Sequence, residues 1–325
     1  MTERDLSARR RWSIGLALLL VLFALLVVFL RVEIARAFVR FGEYLGYPFI
    51  RRALVVGLAV SLCAALLGVP LVLKRYSMIG DGLSHVGFGA LAIATALGSL
   101  PKASPFSGVA SWISENPMLF TTGVVVVLAF LLLKLNASSR IKGDAAIALL
   151  STGALAVGVV VVSTTKGINI DITNYLFGSI LSVSQGDALY AVGVSVAVAA
   201  LFVVSYRRLF AVTFDESFAR ATGTPASLYN MLLAILTAVT VVMGMRLMGT
   251  MLISSLIIFP ALTSMRVFSR FLQVVVSAAA VSAACFLIGL MLSCVYSLPT
   301  GAGVVSVNIV FFAVFHFIGK ARGVR

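Results

Sequence analysis

Long apolar runs alternate with short polar breaks along nearly the whole chain. The run Val124-Val125-Val126-Val127-Leu128-Ala129-Phe130-Leu131-Leu132-Leu133 carries no polar side chain, and others approach the roughly 20 residues that a helix needs to cross a hydrocarbon core. Ten candidate spans follow: 12–30, 53–73, 79–98, 118–135, 145–163, 188–205, 226–243, 247–265, 272–295 and 304–318. A transmembrane barrel would show polar alternation instead. The expected fold is therefore all-α, a polytopic transmembrane helical bundle of about nine or ten spans.

Composition agrees. With 61% hydrophobic residues, 11% charged residues and a mean hydropathy of +1.12, the chain is no ordinary soluble domain. The net charge of +14 does not point to nucleic acid, because the basic residues sit in short groups beside apolar runs. With both termini placed in the cytoplasm, most of the 25 Lys and Arg residues fall in inner loops, as the positive-inside rule requires. The exception is 31–52, whose Arg36, Arg40 and Glu43 oppose Val32, Phe38 and Leu45 as on an interfacial helix. Residues 1–46 are read as an N-terminal anchor helix with this interfacial segment, and 47–325 as the transmembrane domain. The run 12–30 has no small-residue cleavage site behind it and reads as a retained anchor. Cys63, Cys285 and Cys294 are odd in number, form no CxxC spacing and read as packing residues.

The chemistry lies in Gly80-Asp81-Gly82-Leu83-Ser84-His85-Val86-Gly87-Phe88-Gly89. A carboxylate and an imidazole four residues apart share one helix face, within reach of a single cation. Ionisable groups inside a membrane segment mark pathways or relays, although they also pair with each other. One carboxylate oxygen and one imidazole nitrogen suit zinc or manganese. Measured from Arg75 along a helix, Asp81 and His85 would lie about 9 and 15 Å deep, near the midplane; a turn over 76–80 would shorten this. Met78 and Ser84 are candidates to line the same path. A second interrupted segment, 244–261, offers Ser254, Ser255 and Pro260, either as further lining or as an ordinary proline kink.

One stretch is too polar to span. In 211–225, Thr213 and Glu216 have capping-box spacing, Gly223 suits a helix C′ position and Pro225 can open the next helix. A short cytoplasmic helix is expected, its Phe214 and Phe218 forming an apolar stripe for a partner's groove or for the protein's own inner surface.

Together these segments resemble the membrane permease subunit of the ABC-type zinc and manganese importer family, over about 47–317. The similarity is strongest in Leu66 to His85, an apolar span, a basic turn and then Gly-Asp-x-Leu-Ser-His. It continues in Asp171 with Tyr175-Leu176-Phe177-Gly178, in Phe214-Asp215-Glu216, in Ser255 to Ala261 and in Leu298-Pro299-Thr300-Gly301. The resemblance implies a multi-pass importer subunit of the bacterial cytoplasmic membrane, surrounded by lipid. A second permease copy (a homodimer or a paralogue) and cytosolic ATP-binding subunits would complete it, and an extracellular or periplasmic metal-binding protein would load it. Asp81 and His85 would be ligands for transported Zn2+ or Mn2+, with no permanently bound cofactor. Phe214, Asp215, Glu216, Phe218, Arg220 and Gly223 would form the ATPase-coupling helix. Thr152, Ser179 and Ser297 stand where some zinc-type members have histidine or acidic residues, which leaves zinc against manganese open.

No Gly-x-x-x-x-Gly-Lys-Ser/Thr loop occurs, so ATP hydrolysis is expected on a partner and not on this chain. The alternative is an ion-coupled secondary transporter in which Asp81 and His85 relay protons. An intramembrane hydrolase is disfavoured, because adjacent Ser84 and His85 point about 100° apart on a helix.

Overall fold

The computed structural model describes residues 40–76, 78–98, 107–138, 143–165, 178 and 180–321. The expected anchor at 12–30 and the segment 171–177 lie outside them. The described elements are α1 (Pro48–Leu73), α2 (Ile79–Leu97), α3 (Ser107–Glu115), α4 (Pro117–Ser138), α5 (Gly143–Thr164), a 3-10 turn (Ile180–Ser182), α6 (Gln185–Phe214), α7 (Glu216–Ala221), α8 (Ala226–Met248), α9 (Thr250–Met265), α10 (Phe271–Tyr296) and α11 (Thr300–Ala321). No strand occurs among the described residues, and the molecule is a multi-pass all-α membrane bundle.

Six helices, α1, α5, α6, α8, α10 and α11, are long and apolar enough to cross a membrane; α3 and α4, bent by 94°, make a seventh if taken as one span. The ten expected runs include two that fall short for visible reasons. Asp81 and His85 depress the hydropathy of 19-residue α2, and α9 has only 16 residues. The 247–265 run begins not inside a helix but across a break, because Gly249 adopts φ +87°, ψ 159° between α8 and α9. Such a conformation is open to glycine alone without strain.

Helix α1 is the hub, packed against α6, α8, α9 and α10. In lipid no hydrophobic drive holds helices together, so close contact and interhelical hydrogen bonds must do so. Both are present. Cys63 Sγ on α1 donates to Ser195 O of α6 at 2.9 Å, and Ser282 Oγ on α10 donates to Ser61 O of α1 at 2.9 Å. Gly68 brings the α1 backbone onto the Ile257 carbonyl of α9, and the ring of Phe286 fills the space over Gly57. Helix α8 is also central, 72% of its apolar window being buried, against 17% for α5, which lies at the periphery. Helix α2 packs between α4, α5, α8 and α9.

Candidate functional site

A tight turn delivers the Asp81 segment. Helix α1 ends with Lys74 N bonded to Pro70 O and Tyr76 N bonded to Leu71 O, and Arg75 takes the left-handed φ of 62°. Helix α2 then begins at Ile79, so Asp81 lies in its first turn, about 3 Å along the axis from Ile79, and His85 about 9 Å along it. The pair therefore lies nearer the start of its helix than counting straight from Arg75 along one continuous helix would place it. The turn consumes the residues that a continuous helix would have spent on depth. In return, the positive end of the helix dipole favours the negative charge of Asp81 in the first turn.

His85 Nε2 stands 3.6 Å from Asp81 Oδ1, an ion-pair separation too long for a hydrogen bond. The Asp81 side chain is 44% exposed and that of His85 17%. His85 Nδ1 is buried with no hydrogen-bond partner among the described residues. The two groups face the same way without saturating each other, which leaves carboxylate oxygens and an imidazole nitrogen available to a cation.

The glycines around the pair serve close packing. Gly80 faces Ser254 and Ile257 of α9, Gly82 faces Ile147 of α5, Gly87 faces Met245 of α8 and Gly89 the Ala154 carbonyl of α5. Of the other sequence-predicted residues, Met78 is exposed beside the site. Ser254 is mostly buried at the start of α2, and its Oγ has no partner among the described residues. Ser84 is fully buried and donates to Asp81 O at 2.7 Å, and Ser255 donates to Leu252 O at 2.9 Å. Pro260 is buried inside α9. Ser84, Ser255 and Pro260 thus stand within packed helix surfaces, while Asp81, His85, Met78 and Ser254 gather at the N-terminal end of α2.

The short polar helix exists as α7, with one correction to its start. Helix α6 runs on through Phe214, so Thr213 is helical and donates to Leu209 O at 2.6 Å. The cap is Asp215, extended at φ −147°, ψ 98°, whose Oδ1 accepts from Phe218 N at 2.9 Å. Gly223 takes φ +80° behind α7, and Pro225 is the N-cap of α8. Phe214 and Phe218 are both exposed. Phe214 differs in also packing on Phe210 and on Phe271 of α10.

Two polar groupings have no local sequence signal. In one, Arg246 near the end of α8 lies 3.4 Å from Asp187 at the start of α6, beside a cavity of about 240 Å³ lined by Met118, Tyr190 and Met243. In the other, Lys74 Nζ donates to Asn230 Oδ1, Asn230 Nδ2 donates to Glu216 Oε2 at 3.1 Å, and Arg220 pairs with Glu216 Oε1. Burial pushes the Lys74 ammonium below its ordinary pKa, with the nearby Glu216 charge working against that. Burial raises Glu216, but the bonds from Asn230 and Arg220 and the charge of Lys74 outweigh it and hold the carboxyl low.

The profile of the ABC 3 transport family matches residues 46–319. The chain belongs to the ABC 3 transport family. Among ABC 3 relatives, the manganese transport system membrane protein MntC of Halalkalibacterium halodurans is 29% identical over 284 residues, 87% of this chain and 92% of that protein. The high-affinity zinc uptake system membrane protein ZnuB of Haemophilus influenzae is 28% identical over 267 residues, 82% and 95% of the two chains. A chain of the solved PsaBC structure from Streptococcus pneumoniae, in complex with Fab, superposes with a TM-score of 0.72 at 26% identity, covering 88% of this chain and 96% of that one. As an ABC 3 member the chain is a membrane permease subunit of an ABC transporter and not itself an enzyme.

Proposed function

We propose that this permease, paired with a second copy or a related subunit, carries a divalent metal ion, zinc or manganese, into the cytoplasm, with Asp81 and His85 as transient ligands. Cytosolic ATP-binding subunits seated on α7 drive the cycle. A metal-binding protein on the outer side supplies the ion. The observation that carries this reading is the ligand pair itself: a half-exposed carboxylate with the Nε2 of His85 3.6 Å away, too far for the two groups to satisfy each other. A half-exposed carboxylate on a membrane bundle is costly against lipid and is retained where it faces protein or a polar path.

Among the described residues no three His, Cys, Asp or Glu side chains cluster as a metal cage. Two ligands from one chain hold a dication weakly unless a second subunit or water completes the shell. Weak holding suits transit, since an ion must leave the site it enters. The exposed Phe218 on α7 offers the apolar contact for the ATPase. In this reading α7 and the turn before α2 face the cytoplasm. A proton-relay secondary transporter gives no use for a capped, aromatic helix on the inner face.

The test is ATP-driven metal uptake by the complete transporter in vesicles. Asp81→Ala and His85→Ala should each abolish uptake while the ATPase subunit still co-purifies. Undiminished uptake in both variants would remove the ligand role.

A further inference from the structure

The turn that delivers Asp81 is tied by side chains to the helix on which the ATPase is proposed to sit. Lys74, the residue that ends α1, hydrogen-bonds to Asn230 of α8; Asn230 bonds at 3.1 Å to Glu216, the first residue of α7; Glu216 pairs with Arg220 one turn on. Asn230 sits at the centre, its carbonyl oxygen accepting from the lysine and its amide donating to the glutamate. Neighbouring Tyr229 is itself clamped: Arg208 of α6 donates to its hydroxyl and lies over its ring at 5.6 Å from the centroid. Asn230 therefore stands on a fixed α6–α8 frame, while α7 is joined to that frame by the extended residue Asp215 on one side and by Gly223 at φ +80° on the other.

We propose that Lys74 and Asn230 are positioning residues that couple the ATPase to the metal path: displacement of α7 is passed through Glu216, Asn230 and Lys74 to the turn before α2, and so to Asp81. This rests on the transport reading above. Three features make the connection mechanical rather than decorative. It is short, with one side chain between each pair of elements. It is partly withdrawn from solvent, since burial depresses the Lys74 ammonium, so salt screens it less than a surface pair. It enters a constrained turn, because the left-handed Arg75 and the bond from Tyr76 N to Leu71 O fix the chain just after Lys74, and Ile79 N at the start of α2 bonds back to Tyr76 O at 3.1 Å.

The experiment uses the full transporter in vesicles and measures metal taken up per ATP hydrolysed. In Lys74→Met and Asn230→Ala, the ATPase stays bound and hydrolyses ATP, while uptake per ATP falls roughly tenfold, the factor set by losing a hydrogen bond to a charged group. Asn230→Asp places a second carboxylate against Glu216 and uncouples likewise. Adding Glu216→Gln to Asn230→Asp lets the new amide donate to the new carboxylate and restores the ratio, which a purely structural role does not predict. Unchanged uptake per ATP in the single variants overturns the proposal, as does uncoupling by Asn230→Asp that Glu216→Gln fails to relieve. A wild-type protein without ATP-driven metal uptake would sink the transport reading itself, a separate outcome.

Discussion

Gly68→Ala is the sharpest test of how the bundle holds its site. A methyl at Gly68 would overlap the Ile257 carbonyl oxygen and lie 2.9 Å from the carbonyl carbon. The methyl carbon would lie 2.0 Å from that oxygen, and such contacts do not fall below 3.0 Å, so α1 and α9 must part by about 1 Å. Both sides of the contact are helix backbone and neither can rotate away. Overpacking of this kind costs roughly 1–3 kcal/mol, set against a gain of up to about 1 kcal/mol from replacing glycine within a helix. Two controls fix the scale. At Gly80 the nearest atom is the flexible Ile257 Cδ1 at 3.0 Å, and at Gly123 nothing lies within 4 Å. Thermal unfolding of the purified permease in detergent should rank Gly123→Ala at or above wild type, Gly80→Ala close to it and Gly68→Ala clearly below. At roughly 2–4 °C per kcal/mol, the Gly68 deficit amounts to several degrees. Equal midpoints for Gly68→Ala and Gly123→Ala would refute the close α1–α9 approach.

Phe218→Ser should release the ATPase subunit or uncouple hydrolysis from uptake, read by co-purification and by metal moved per ATP; the exposed ring makes no stacking contact among the described residues, so the fold should persist. Asp215→Ala removes the cap of α7, a loss of about 1 kcal/mol, and amide exchange at Phe218 should accelerate by several-fold while α6 is unaffected. Glu216 has a lowered pKa in the folded protein, so its stabilising contribution is complete above its ordinary value of 4.5 and is lost as pH falls through the lower folded value. Glu216→Gln should flatten that acid-side decline in thermal midpoint. Cys63 and Cys285 are buried, whereas Cys294 lines a cavity near the C-terminal end of α10; with that end outside, as proposed, an impermeant maleimide added to intact cells should label Cys294 alone of the three. Labelling only after the membrane is opened would reverse the proposed orientation.

The all-α bundle was legible because apolar runs of span length have no other stable solution in lipid. The Asp81–His85 pairing was legible too, since i, i+4 spacing fixes a shared face whatever the surroundings. Depth was not. Arg75 is an unremarkable basic residue in sequence, yet its left-handed backbone turns the chain early and moves the pair toward the start of α2. The start of α7 was misplaced for a related reason: Thr213 and Asp215 both have capping chemistry, and the choice depends on how far α6 continues, which packing of Phe214 on Phe271 decides. The Lys74–Asn230 bond spans 156 positions, and no local pattern reports a partner that far away.

The first-turn placement of Asp81 also bears on how the protein is made. A carboxylate at the centre of a nascent helix resists partitioning from the translocon into lipid by about 2.5–3.5 kcal/mol, and a chain already carrying His85 nearby has little apolar surplus to offset it. Two residues from the start of α2, the same group enters near a helix end instead of at its centre, where a charge costs less. The first-turn position of Asp81 thus lowers the barrier to inserting α2 during synthesis.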